Sequence, residues 1–67
     1  MILTVNGERR EVAEDATLAD LLPPNRTPDG RGVAIARNGE VVPRAVWREQ
    51  RLEAGDRVEI LNAVGGG

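Results

Sequence analysis

The chain has 67 residues, 40% of them apolar and 30% charged, and a formal net charge of -2, which is the size of one domain. It contains no Cys, His, Ser, Tyr, Phe or Lys, and all nine basic residues are Arg. The common transition-metal ligands and nearly every side-chain nucleophile or proton shuttle are thus absent, so no metal site and no catalytic residue is expected. Without disulfides, a domain this small has to be held by packing alone. A near-neutral chain whose single aromatic ring is Trp47 offers little to nucleic acid, and the Arg excess over residues 26–51 reads as a solvated face. Residues 1–7 carry neither a basic cluster nor a long apolar run, so no signal peptide or membrane span is expected, and the cytoplasm is the expected compartment.

Met1 to Val5 alternates Met1, Leu3 and Val5 with Ile2 and Thr4, the period of a half-buried strand. Asn6-Gly7 follows, the residue pair that best tolerates positive φ at both centres of a type I′ turn. Glu8 to Val12 is then a second strand, charged as an edge strand should be. Thr17-Leu18-Ala19-Asp20 resembles a capping box with Asp in place of Glu, and Leu18, Leu21 and Leu22 fall at helical spacing, so a helix of about two turns is expected up to Pro23-Pro24. Asn25 to Gly32 reads as a loop, and its Asn25-Arg26-Thr27 glycosylation pattern as a chance match. Val33 to Arg37 is a third strand, and Asn38-Gly39 turns it into Glu40-Val41-Val42, ended by Pro43. Ala45 to Leu52 reads as an irregular or single-turn segment anchored by Val46, Trp47 and Leu52. After the turn Glu53-Ala54-Gly55-Asp56, Arg57 to Val64 is the last strand, with Val58 and Ile60 on one face and Glu59 and Leu61 on the other.

Two hairpins, a crossing helix and a closing strand place the first and last strands side by side and parallel in the centre. The expected fold class is α+β, a β-grasp (ubiquitin-like) mixed sheet with one short helix packed across it, spanning residues 1–64. Residues 65–67 form a glycine tail.

Gly65-Gly66-Gly67 directly follows the last strand. Three residues without side chains reach roughly 10 Å when extended and fit a cleft too narrow for a Cβ. A terminal carboxylate there is ionised at neutral pH and is a poor electrophile, so acyl chemistry at Gly67 needs prior activation by another protein. The chain itself has no phosphate-binding loop for that step.

Several blocks together resemble the ThiS family of sulfur carrier proteins of thiamin (thiazole) biosynthesis: Asn6-Gly7, Thr17 to Leu22, Val33-Ala34-Ile35-Ala36-Arg37-Asn38-Gly39-Glu40-Val41-Val42-Pro43-Arg44 with Trp47, Leu52 to Ile60, and Ala63-Val64-Gly65-Gly66-Gly67. The resemblance implies that an E1-like adenylating enzyme of the ThiF type uses ATP and Mg²⁺ to activate Gly67. Cysteine-derived sulfur, delivered through a desulfurase, then makes the thiocarboxylate, and a ThiG-type thiazole synthase accepts the sulfur. By the same resemblance Gly67 carries the reactive group, and Gly65 and Gly66 enter the partner's active site. The chain binds no cofactor of its own and is a monomer when free. It lacks Cys and Lys side chains that would intercept its own activated end.

The sheet face away from the helix is expected to carry Ile2, Thr4, Glu59 and Leu61. Ile2 and Leu61 there form an apolar interface for the activating enzyme, unless Leu61 turns into the core at a strand irregularity. Trp47 is expected to be an anchor rather than a recognition residue. Two other functions fit the same fold: a carrier of the molybdopterin-synthase type, and a β-grasp interaction module without covalent chemistry.

Overall fold

Strand β1 (Ile2–Val5) turns at Asn6-Gly7 into antiparallel β2 (Glu8–Glu11). Strand β3 (Val33–Arg37) turns in the same way at Asn38-Gly39 into β4 (Glu40–Val42). The central residues have φ of 51° and 82° in the first turn and 52° and 89° in the second, the type I′ conformation for which Asn-Gly is suited. The computed structural model describes residues 1–22 and 32–62, Asn62 by its backbone alone. The expected Pro23-Pro24 stop, the loop over 25–31 and the strand continuation at Ala63 and Val64 lie outside the described residues.

The closing strand β5 (Arg57–Asn62) completes a five-stranded sheet in the order β2-β1-β5-β3-β4. It runs parallel to β1, with Thr4 beside Arg57 and Val5 beside Val58, and antiparallel to β3 from Val58 to Asn62. The first and last strands are therefore neighbours, as the order of elements predicts. The hairpin strands β2 and β4 form the edges, and all four residues of β2 are exposed, so its charges face water as an unpaired edge requires.

The crossing helix is shorter and tighter than expected. Leu18–Leu21 is one 3₁₀ turn rather than two turns of α-helix. Its Asp20 carboxylate does accept from the Thr17 N–H at 2.9 Å, the half of the capping box that Asp can supply. The neighbouring N–H groups, however, are drawn into tertiary bonds: Leu18 donates to the Gln50 carbonyl at 3.1 Å and Ala19 to that of Trp47 at 3.2 Å. Leu22 is extended, with φ -71° and ψ 142°, as the residue before a proline must be. The segment after β4 begins with a second 3₁₀ turn, Arg44–Val46, and its carbonyls provide those acceptors.

These two turns close one side of the sheet. Leu3, Val5, Leu18, Leu21, Ile35, Trp47, Leu52 and Val58 are buried together with Ala16. Trp47 is the expected anchor: its ring is buried and its indole N–H donates to the Val42 carbonyl at 2.8 Å. The four fully buried large side chains, Leu3, Leu18, Ile35 and Val58, come from β1, the first 3₁₀ turn, β3 and β5, so the core depends on several elements closing at once.

Candidate functional site

Gly65, Gly66 and Gly67, expected to carry the chemistry, lie outside the described residues. What the structure shows is the strand that leads to them, β5, and both hairpin turns hold it. In a parallel ladder the carbonyl of Asn6 would accept from the N–H of Ile60, because the Asn6 N–H already donates to the Val58 carbonyl at 2.9 Å. The type I′ turn diverts that carbonyl. The Asn6 side-chain amide takes its place: Oδ1 accepts from the Ile60 N–H at 2.7 Å, and Nδ2 donates to the Ile60 carbonyl at 3.3 Å.

Asn38 repeats the substitution at the start of β5. Its N–H donates to the Arg57 carbonyl at 2.7 Å, and its Oδ1 accepts from the Arg57 N–H at 3.0 Å. Strand β5 is thus held by one asparagine amide at its first residue, Arg57, and by another at Ile60. Sequence reasoning assigned both residues to turns and missed this second role, whose only signal is that Asn stands in both turns where other residues tolerating positive φ would serve.

Asn38 also leads to a buried charge. Asp56 accepts from Asn38 Nδ2 at 3.0 Å through Oδ1, and through Oδ2 from the Glu53 N–H at 2.8 Å and Arg37 Nε at 2.9 Å. Arg37 Nη2 lies 2.8 Å from the same oxygen, and Nη1 donates to Gln50 at 3.0 Å. Burial by itself raises the carboxyl pKa, but the Asn38 and Glu53 hydrogen bonds and the Arg37 guanidinium outweigh it, and Asp56 sits below the ordinary carboxylate value. Both oxygens accept hydrogen bonds, so this carboxylate is a structural tie between β3, the turn after it and the turn preceding β5.

The open face of the sheet bears the expected exposed apolar side chains. Leu61 is 64% exposed and Ile2 45%, so Leu61 does not turn into the core. The register, however, separates them. Leu61 lies beside Ala34, whereas Ile2 is level with Gly55, whose N–H donates to its carbonyl at 2.9 Å. Six residues along the sheet amount to roughly 20 Å at about 3.3 Å per residue. The nearer companion of Leu61 is Val41, 76% exposed and paired with Ala36. Leu61, Ala34, Ala36 and Val41 form the apolar patch at the tail end, and Ile2 marks the far rim. Val41 was not placed by sequence because a three-residue strand does not reveal its face.

On the core side of the same end, a groove of about 560 Å³ opens between Leu21, Leu22, Val5 and Ile60. Its rim mixes Glu8 and Asp20 with Arg9 and Arg10, and Asp20 is already engaged by Thr17. Among the described residues no group of three or more carboxylates could hold a metal ion, and no helix is long and apolar enough to cross a membrane.

A mixed five-stranded sheet with parallel central strands, covered on one face by short helical turns and leading into a glycine run, defines a protein of the β-grasp class. The ThiS family model matches residues 3–67, and the chain belongs to that family. A crystal structure of the thiamine biosynthesis protein ThiS from Geobacter metallireducens superposes with a TM-score of 0.77 at 36% identity, covering all of both chains. A solution structure of a thiamine biosynthesis protein from the same organism gives 0.75 at 36% identity, covering all of this chain and 88% of that one. A protein named thiazole synthase from Paramagnetospirillum magneticum is 37% identical over 67 residues, which is 100% of this chain and 20% of that protein. The chain therefore spans about a fifth of that relative's length.

Proposed function

We propose that this chain is a sulfur carrier in the assembly of the thiamin thiazole, a protein co-substrate rather than a catalyst, and that the α-carboxylate of Gly67 is its reactive group. The carrying observation is that membership of the ThiS family extends through the terminal glycine run, since the match covers residues 3–67. Family membership favours the thiazole route over the molybdopterin route, and the likeness to a segment of a protein named thiazole synthase supports a ThiG-type acceptor.

The chemistry follows from what an ionised carboxylate lacks. An oxygen of the Gly67 carboxylate attacks the α-phosphorus of ATP, held with Mg²⁺ by an E1-like partner of the ThiF type, and pyrophosphate leaves. The acyl carbon is now electrophilic. The outer sulfur of a persulfide, formed from cysteine by a desulfurase, attacks it and AMP departs, leaving an acyl disulfide; a thiol then cleaves the S–S bond, itself becoming part of a disulfide, and releases a thiocarboxylate whose sulfur is the nucleophile toward the thiazole precursor. Gly65 and Gly66 carry no side chain, so the partner's cleft can close on bare backbone. The open face around Leu61, with Val41, Ala34 and Ala36 and with Ile2 at its far rim, docks the activating enzyme beside the tail.

Intact-mass measurement after incubation with the cognate activating enzyme, ATP and a sulfide source tests the reading. The expected product is heavier by the difference between one sulfur and one oxygen atom, with the change in the C-terminal peptide. An unchanged mass, or equal conversion of a chain lacking Gly66 and Gly67, sinks it. Conversion together with a failure of thiazole synthase to accept the sulfur points instead to a carrier for another acceptor.

A further inference from the structure

We infer that Asn6 is the positioning residue for the stretch of β5 that leads to the glycine run: by standing in for the next peptide group of β1, its side-chain amide extends the hold on β5 from the β1 side as far as Ile60. The inference rests on the carrier reading of Gly67. On its β3 side, β5 stays paired to Asn62, with Val33 opposite Asn62 and Ala34 opposite Leu61. On its β1 side the backbone ladder ends when β1 enters the turn after Val5, and the next contact is the Asn6 amide on Ile60, at 2.7 Å and 3.3 Å. Ile60 therefore has neighbours on both sides only because Asn6 is an asparagine.

Beyond that point, among the described residues, Leu61 and Asn62 pair with β3. A partner that threads the tail into its cleft has to order it, and every residue already ordered in the free chain reduces that requirement. Removing the clamp should weaken encounter with the activating enzyme more than turnover, because within the cleft the tail is ordered by the partner.

The turn and the clamp are separable by substitution. Asn6→Gly keeps a residue suited to the observed φ of 51° and removes both side-chain bonds. Asn6→Asp tolerates the same conformation and keeps an acceptor for the Ile60 N–H. Asn38→Gly removes the matching amide at the first residue of β5, including its bond to the buried Asp56, and serves as the purely structural comparison.

The experiment measures pyrophosphate release by the activating enzyme as a function of carrier concentration, together with hydrogen exchange at the Ile60 amide. For Asn6→Gly the KM for the carrier should rise about five-fold with kcat within about two-fold, and Ile60 exchange should quicken. Asn6→Asp should recover most of the KM. Asn38→Gly should lower the Tm by more than Asn6→Gly while leaving KM near that of the unaltered chain. A KM unchanged in Asn6→Gly, or raised as much in Asn38→Gly, overturns the inference while the carrier reading stands. No adenylation of the unaltered chain overturns the carrier reading and this inference with it.

Discussion

Asp56 shows how one side chain does several tasks in a chain with few polar groups to spare. It is 6% exposed and takes four donors from three elements. Asp56→Ala strands those donors, so a loss of about 2–4 kcal/mol is expected by chemical denaturation, against less for Asp56→Asn, which keeps the volume and one acceptor. The pH dependence has a definite sign. The folded-state pKa lies below its ordinary value, so the unfolded chain binds the proton first as pH falls. The stabilisation is therefore fully present above the unfolded value of about 3.9 and is lost as pH drops from there through the folded value. The Tm of the unaltered chain should hold from neutral pH down to about 5 and fall more steeply below about 4 than that of Asp56→Asn. Equal slopes would mean that other carboxylates govern acid unfolding. None of this was legible beforehand: the sequence placed Asp56 in a turn and Arg37 in a strand, and only the sheet register sets the guanidinium over the carboxylate.

At the scale of the element, the hairpins were legible and the helix was not. Asn6-Gly7 and Asn38-Gly39 specify their turns through backbone sterics that act within two residues, and each has the positive φ values expected. A Cβ at Gly39 would meet nothing within 4 Å, yet the backbone there has φ +89°. Gly39→Ala should thus cost about 1–2 kcal/mol through conformation alone, and lower the Tm by roughly 4–8 °C for each kcal/mol in a domain of this length. A Tm unchanged in a thermal melt would show that the turn relaxes to another type. The segment Leu18–Leu21 obeyed a different influence. Four leucine-rich residues with a cap and a following proline suit a helix, but too few hydrogen bonds form locally to favour α over 3₁₀ geometry. Carbonyls of Trp47 and Gln50 took the free N–H groups, and those acceptors are about thirty positions away in sequence.

For the whole molecule, the proposed carrier function predicts that folding and function fall on different residues. A domain of 67 residues has roughly 3–10 kcal/mol of stability in total. Leu18→Ala, at a side chain with 0% exposure, should remove about 2–5 kcal/mol of it and leave much of the chain unfolded in a thermal melt. Leu61→Arg on the open face and Gly66→Ala in the tail should keep the Tm within about 2 °C while slowing adenylation. Parallel losses of Tm and adenylation in those two variants would refute the separation. The sequence by itself determined the strands, both Asn-Gly turns, the parallel pairing of first and last strands and the glycine run, because these depend on alternation, local sterics and order along the chain. The tertiary structure alone decided that Leu61 faces out some 20 Å of strand from Ile2, that Val41 joins its patch, that the crossing helix tightens to a single turn, and that Asn38 and Asn6 hold β5 at Arg57 and at Ile60. Each of those outcomes turns on which backbone groups meet across the sheet. That is a matter of register between distant segments, which no local pattern carries.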